Sequence, residues 1–498
     1  MRRPSYLAFP AFLASLVLSA CGGGTGGSGP GGVSLPSGPV ASPAPTRGSI
    51  VGAASRLAAI EPAVMKAALD GVQDGLTKIT SDPRCTVTSY AVQYKTAAPQ
   101  NALSDASAAI MVPSGSDPNC SGARPVLLYA HGTSLDKTYS MAKLSGESQL
   151  VAAMFAAQGF IVVAPSYQGY AGSTLGYHPY LDGELQAADM IDALRAARGS
   201  FAAIGANQSN RLFIAGYSQG GYVALATQKA MQGSSEFNVT AVAGLSGPYA
   251  LAQFSDNVFG GNPGQGITAF LPMITTAAQK NGGSVYTVPG DMYEAEYAPG
   301  VENLLPGTLS SSELVKQGKL PEFALFAYNS LPQSSAAAAY FGQHQLVRSA
   351  YREAYLADML GNPCNTSAAA PLACAPQNGL RKWMVKNDLR SYKPAQPLLL
   401  CGGNEDPTVP FANTQTSAAY FKASGAGVTV LDLDTGDGLH DPWLVERTGF
   451  AAAKLALKAD AISKGKSVSA AMADNYHAGL VAPFCLMAAR DFFKASLP

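Results

Sequence analysis

Charge is scarce in this sequence. Only 13% of residues are Asp, Glu, Lys or Arg, the 33 basic residues balance the 33 acidic ones, and neither sign gathers in runs. A chain without a basic stripe offers no electrostatic footprint to a nucleic acid, so none is expected as a partner. Histidine and tryptophan are rare, at five and two residues. No CxxC pair or Cys/His cluster has zinc-site spacing, so no metal or other cofactor is implied. The apolar stretch Tyr6–Leu18 is too short to span a bilayer, and internal repeats are lacking. What is present is a chain of 498 residues with a 47% hydrophobic fraction. That suffices for one large domain with an insertion and a sizeable core.

The N-terminus reads as an export signal. Arg2 and Arg3 precede the apolar stretch, and Leu18-Ser19-Ala20 leads into Cys21. Small residues before a cysteine resemble a bacterial lipobox. Residues 1–20 are therefore expected to be a lipoprotein signal peptide, with Cys21 lipidated and anchoring the chain to a membrane. Residues 21–48, rich in Gly, Ser and Pro, read as a flexible tether. Gly22 follows the cysteine where inner-membrane retention signals place Asp, so the outer membrane is the expected address, with either side possible. Six cysteines remain: Cys85, Cys120, Cys364, Cys374, Cys401 and Cys485. An even number in an exported chain suggests disulfides. Connectivity stays open, although nearness favours Cys85 with Cys120 and Cys364 with Cys374, leaving Cys401 with Cys485.

From Thr86 onward, strand-like and helix-like segments alternate. Short apolar runs at Pro125–Ala130, Phe160–Ala164, Arg211–Ala215 and Val239–Leu245 read as buried strands. Helical spacing at Ser148–Gln158, Gly183–Arg198 and Gly220–Met231 lies between them. This pattern means a mostly parallel sheet covered on both faces, an α/β class. The rhythm breaks between Gly247 and Lys393, then resumes at Pro397–Cys401, Val428–Leu433 and a helix from Trp443. The expected organisation is a core in two parts, 49–247 and 393–498, interrupted by a mainly helical cap over 248–392. A cap at the C-terminal edge of the sheet would cover the place where α/β folds bind ligands.

Gly216-Tyr217-Ser218-Gln219-Gly220 matches G-x-S-x-G. In a chain with 52 glycines the bare pattern is weak. Its context is not, because it joins a buried strand directly to a helix, as the nucleophile turn of the α/β-hydrolase fold does. A serine hydroxyl needs a base and the base needs an orienting carboxylate. The fold's chain order is Ser, then Asp or Glu, then His. His440, in the Gly-rich loop Gly436–His440 after the last strand, is the preferred base over His477 and His344. Asp406, after the Leu398–Cys401 strand, is preferred over its neighbour Glu405. The oxyanion donors are expected to be the amides of Gln219 and Thr133. His131 reads as a brace for its own loop. Tyr167, Tyr170, Tyr177 and Tyr180 could line a pocket or sit in surface loops.

Taken in order, several segments resemble the secretory lipase family, the lipase A type of α/β-hydrolase. They are Tyr94-Lys95-Thr96 with Ala109–Pro113, the His131-Gly132-Thr133 turn, Gly216–Gly221, the large insert, Asp406 before a Val-Pro pair, and His440. The resemblance spans about Tyr94 to Trp443. It implies hydrolysis of carboxylic esters, often acylglycerols, with a cap shaping the acyl tunnel. An apolar cap and a membrane tether suit a hydrophobic ester as substrate. Two other readings share the fold: a serine peptidase of the prolyl-oligopeptidase type, and a binding protein that has lost catalysis.

Overall fold

The computed structural model describes residues 46–72, 76–364, 367–436, 438 and 440–497. The expected signal peptide, Cys21 and most of the expected tether lie outside the described residues. The strands are, in chain order, β1 (Ile50–Ile60), β2 (Thr86–Ala97), β3 (Leu103–Ser114), β4 (Arg124–Ala130), β5 (Ile161–Pro165), β6 (Gln208–Tyr217), β7 (Val239–Leu245), β8 (Phe326–Ala327), β9 (Phe341–Gly342), β10 (Leu398–Gly402) and β11 (Val428–Asp432). Nine of them form one sheet in the order β1-β2-β3-β5-β4-β6-β7-β10-β11. The first three join it antiparallel, and every pairing from β5 to β11 is parallel.

Parallel neighbours need crossovers, and helices supply them. Helix Glu147–Met154 links β4 to β5, Gly183–Ser200 links β5 to β6, Gln219–Met231 links β6 to β7, and Phe411–Ala423 links β10 to β11. Alternate strand residues serve opposite faces, because successive side chains in a strand point to opposite sides. On β4 and β6, Val126, Leu128, Leu212 and Ile214 pack with the helices 183–200 and 219–231. Leu127, Tyr129, Phe213 and Ala215 pack on the other face, with helices 147–154 and 482–494. Burial on both faces is why these strands read as unbroken apolar runs. The strand β1 escaped the sequence reading because it is an edge strand whose residues are almost all exposed, with no period-2 signal.

This is the α/β-hydrolase fold with a large, mainly helical insertion between β7 and β10. Five α-helices occupy that segment: Leu251–Phe259, Ile267–Lys280, Ser311–Lys316, Ser349–Gly361 and Gly379–Lys386. The pair β8 and β9 makes a two-stranded ribbon apart from the main sheet. Buried Arg381 binds the insertion internally, reaching Asp256 at 2.9 Å and Asp358 at 2.8 Å.

Three disulfides form, Cys85–Cys120, Cys364–Cys374 and Cys401–Cys485, the pairing that nearness favours. They fit an oxidising compartment outside the cytoplasm. Among the described residues, no helix is long and apolar enough to cross a membrane. The bridge Cys401–Cys485 ties β10 to the helix Ala482–Lys494 across 84 residues of sequence. Replacing both cysteines by alanine is expected to lower stability by about 2–4 kcal/mol. Denaturant unfolding of the double variant against the oxidised parent checks this.

Candidate active site

The centre of the site is a backbone contact. Strand β6 ends at Tyr217 and a helix starts at Gln219, so Ser218 makes the whole turn alone. It does so at φ 57° and ψ −123°, a strained conformation for a residue with a side chain. The turn also presses against β4. A Cβ on Gly216 would lie 2.1 Å from the Gly220 carbonyl oxygen, and one on Gly220 would lie 1.9 Å from the Ala130 carbonyl oxygen. Both positions therefore require glycine. Ser218 N–H donates to the Leu245 carbonyl at 2.8 Å, which fixes the turn against β7 as well. The serine stands at the C-terminal end of β6, at the start of a helix whose dipole favours negative charge.

Asp406 lies in the loop after β10, with its carboxylate fully buried. Oδ1 accepts the backbone N–H groups of Thr408 at 2.9 Å and Val409 at 3.1 Å. Oδ2 accepts the Ser246 hydroxyl at 2.7 Å and meets His477 Nδ1 at 2.7 Å. Burial alone pushes this carboxyl upward. The His477 imidazole beside it, with the hydrogen bonds from His477, Ser246 and Thr408, outweighs burial and holds it below its ordinary value. The neighbouring Glu405 points to solvent and pairs with Lys454 at 2.8 Å. Of the two, Asp406 is the one that meets an imidazole.

The histidine beside Asp406 is His477, not His440. His477 Nε2 lies 2.9 Å from Ser218 Oγ while Nδ1 faces Asp406, so one imidazole bridges hydroxyl and carboxylate. His440 sits on an exposed turn ahead of the helix Leu444–Ser463 and makes no hydrogen bond to either group. The preference for His440 is corrected for a simple reason. The chain does not enter the site directly from the loop after β11. It first runs through the helices Leu444–Ser463 and Val468–Asn475, and a π-helical turn, Tyr476–Val481, then carries His477 back. Such turns often mark functional positions in helices. Two tyrosines hold this one. Tyr217 donates to the His477 carbonyl, and Tyr476 donates to Asp434. His344 lies on the surface against Glu296.

Sequence reasoning missed Ser246, Tyr217, Tyr476 and Asp434, all polar anchors whose role appears only in three dimensions. His477 did leave a signal. If Cys401 pairs with Cys485, the segment just before Cys485 must lie beside the β10 end that leads to Asp406.

Of the two expected oxyanion donors, Gln219 is the first residue of its helix, where an N–H has no intrahelical acceptor. Its side chain meets His178 Nε2 at 2.6 Å, and His178 Nδ1 meets the Gln168 carbonyl at 2.7 Å. Burial lowers the His178 pKa to about 3, so this ring stays neutral. Thr133 follows β4. Its hydroxyl meets the Tyr180 hydroxyl at 2.7 Å, and its N–H donates no hydrogen bond among the described residues. His131 is buried, with ring nitrogens at the Gly132 and Ser166 carbonyls at 2.5 and 3.3 Å. Burial lowers its pKa to about 4. Tyr167, Tyr170 and Tyr180 are buried around these two imidazoles, whereas Tyr177 is half-buried and bonds Asn281 in the insertion. The insertion also reaches the acid loop, where Gln265 N–H donates to the Pro407 carbonyl at 2.8 Å.

Fold and site together define a serine hydrolase of the α/β-hydrolase type. Comparison with known proteins agrees. The model of the prolyl oligopeptidase family matches residues 146–257, the stretch that holds the Ser218 turn. No curated protein matches the sequence. Among solved structures, the chain is similar to the rice cell wall degrading esterase LipA from Xanthomonas oryzae. Identity is 26% over 90% of this chain and 98% of that one, with a TM-score of 0.67. A putative hydrolase from Legionella pneumophila shares the fold at 20% identity, over 90% of this chain and 98% of that one, with a TM-score of 0.65. Lipase A from Candida antarctica is far more distant, at 12% identity over 78% and 77% of the two chains and a TM-score of 0.47.

A fluorophosphonate probe tests the arrangement without any choice of substrate. The wild type is expected to label at Ser218. His477→Ala should cut the labelling rate by at least about a thousandfold, and His440→Ala should label like wild type. Mass spectrometry of the labelled peptide with a labelling time course checks both.

Proposed function

We propose that the protein is a serine carboxylic-ester hydrolase that acts on hydrophobic esters through an acyl-enzyme. His477 takes the proton of Ser218 as Oγ attacks the ester carbonyl. Asp406 holds the imidazole in the tautomer that accepts at Nε2 and offsets the charge it gains. The Gln219 and Thr133 amides receive the oxyanion. His477 then returns its proton to the leaving alcohol, and a water activated by the same imidazole hydrolyses the acyl-enzyme. No cofactor enters this sequence.

The observation that carries the reading is the hydrogen-bonded chain from Ser218 through His477 to Asp406, at a sheet edge next to a large insertion. The likeness to an esterase along nearly the whole chain favours esters. We read residues 248–392 as a cap that shapes an apolar acyl site between the two parts of the core. Membership of the secretory lipase family and a taste for acylglycerols belong to the same proposal. So does export with acyl chains on Cys21, which would set the enzyme at the cell envelope where hydrophobic esters arrive.

A peptidase of the prolyl-oligopeptidase type is the second reading, favoured by the family match over residues 146–257. The same three side chains would serve it. Against it, the described residues hold one nine-stranded sheet and one small ribbon, and no propeller blades.

The deciding experiment is turnover of p-nitrophenyl esters from acetate to palmitate, beside a prolyl peptide p-nitroanilide. The wild type is expected to hydrolyse the esters and spare the peptide, and Ser218→Ala to lose about four orders of magnitude or more. The best chain length then separates an esterase from a lipase. Peptide cleavage exceeding ester cleavage would move the peptidase reading to the front.

A further inference from the structure

A second carboxylate lies beside the site, and the mechanism above leaves it unused. Glu147 opens the helix Glu147–Met154, directly after the loop that β4 sends over the Ser218 turn. Its Oε1 accepts the Tyr129 hydroxyl at 2.7 Å and the Gly132 N–H at 3.0 Å, and Oε2 meets the same N–H at 3.1 Å. A Cβ built on Gly132 would lie 3.4 Å from Glu147 Oε2 and 3.7 Å from Ser218 Cβ, so carboxylate and nucleophile flank one glycine.

The contact has a directional consequence. Gly132 and Thr133 are consecutive, and Gly132 lies against the serine. The carboxylate takes the Gly132 N–H, while the Thr133 N–H has no acceptor among the described residues. A loop pinned at one amide presents the next one in a fixed direction, which an oxyanion hole requires. The carboxylate also faces His477, which gains positive charge whenever Ser218 reacts. The other titratable groups facing it are Tyr129 on β4, Tyr139 and Tyr167 on loops, and Tyr217 at the end of β6. Burial raises all four phenols well above their ordinary range and keeps them neutral, so the charge that Glu147 meets is the one His477 gains during reaction.

We propose that Glu147 is a positioning residue for acyl transfer: its carboxylate pins the Gly132 amide so that the Thr133 amide meets the oxyanion, and its charge supports the His477 imidazolium. This rests on the acyl-transfer reading of the same site. Burial pushes the Glu147 carboxyl up to about 7, against the lowering effects of Tyr129, Gly132 and His477. The group therefore takes up a proton as pH falls through neutrality, and the pinning charge is lost with it.

The test is the pH dependence of Ser218 phosphonylation, which builds the same oxyanion and needs no ester, together with kcat and KM on the best ester. The wild type is expected to lose activity as pH falls through about 7, where the Glu147 carboxyl takes up its proton. Glu147→Gln keeps an acceptor for Gly132 but removes the charge. It should lower kcat about tenfold, leave KM within about twofold, and remove the loss of activity near pH 7 that Glu147 causes. Glu147→Ala removes both and should cost about a hundredfold, the loss typical of one oxyanion donor. Tyr129→Phe deletes a hydrogen bond to the ionised form, so the Glu147 limb should move to higher pH. A Glu147→Gln variant with unchanged kcat and an unchanged pH profile overturns the proposal. Phosphonylation without ester turnover would instead count against the ester reading and leave Glu147 to be judged on the labelling profile.

Discussion

Everything in the site depends on how closely one backbone turn approaches the neighbouring strand. Ser218 is held at positive φ because Gly216 and Gly220 let the turn after β6 close onto Ala130 at the end of β4. That contact sets the serine and the Thr133 loop side by side. The sheet order does the rest. Strands β4, β6, β7 and β10 are successive neighbours and all run in one direction, so their C-terminal ends deliver the Thr133 loop, Ser218, Ser246 and Asp406 to a single edge.

A buried negative charge at that edge is tolerable only because it is fully solvated by the protein. Asp406 has two backbone amides, one hydroxyl and one imidazole nitrogen as partners, and none of its capacity is left facing apolar surface. Glu147 is less well supplied, with one hydroxyl and one amide. Burial pushes both carboxyls upward, but the partners of the first outweigh it and those of the second do not, so the first is held low and the second raised. Two acids beside one imidazole are thus differentiated by their donors, not by their chemistry.

The core was legible because a parallel sheet buried on both faces writes itself as apolar runs, and β4, β5, β6, β7 and β10 fall where those runs lie. Ser218 was legible because its turn has a local pattern with a steric cause. Asp406 followed from its place after β10. The base was not legible by the same rule. A single sequence shows which histidines follow the last strand, but not how far the chain travels before it returns. Here it makes two helical excursions before a π-turn brings His477 home. Ser246, which bonds Asp406, and Tyr217 and Tyr476, which hold the His477 turn, were hidden for a related reason. Each acts across a long sequence separation, 160 residues for Ser246 and Asp406 and 260 for Tyr217 and His477, and no local pattern records such pairs.

The π-turn has a consequence in time as well as in space. Ser218 and His477 are 259 residues apart, so a growing chain presents its nucleophile long before the imidazole that activates it exists. The hydroxyl stays an ordinary alcohol through that interval. On the proposed mechanism, a chain ending before residue 477 would carry the nucleophile without its base, so reactivity waits on synthesis of the last helices.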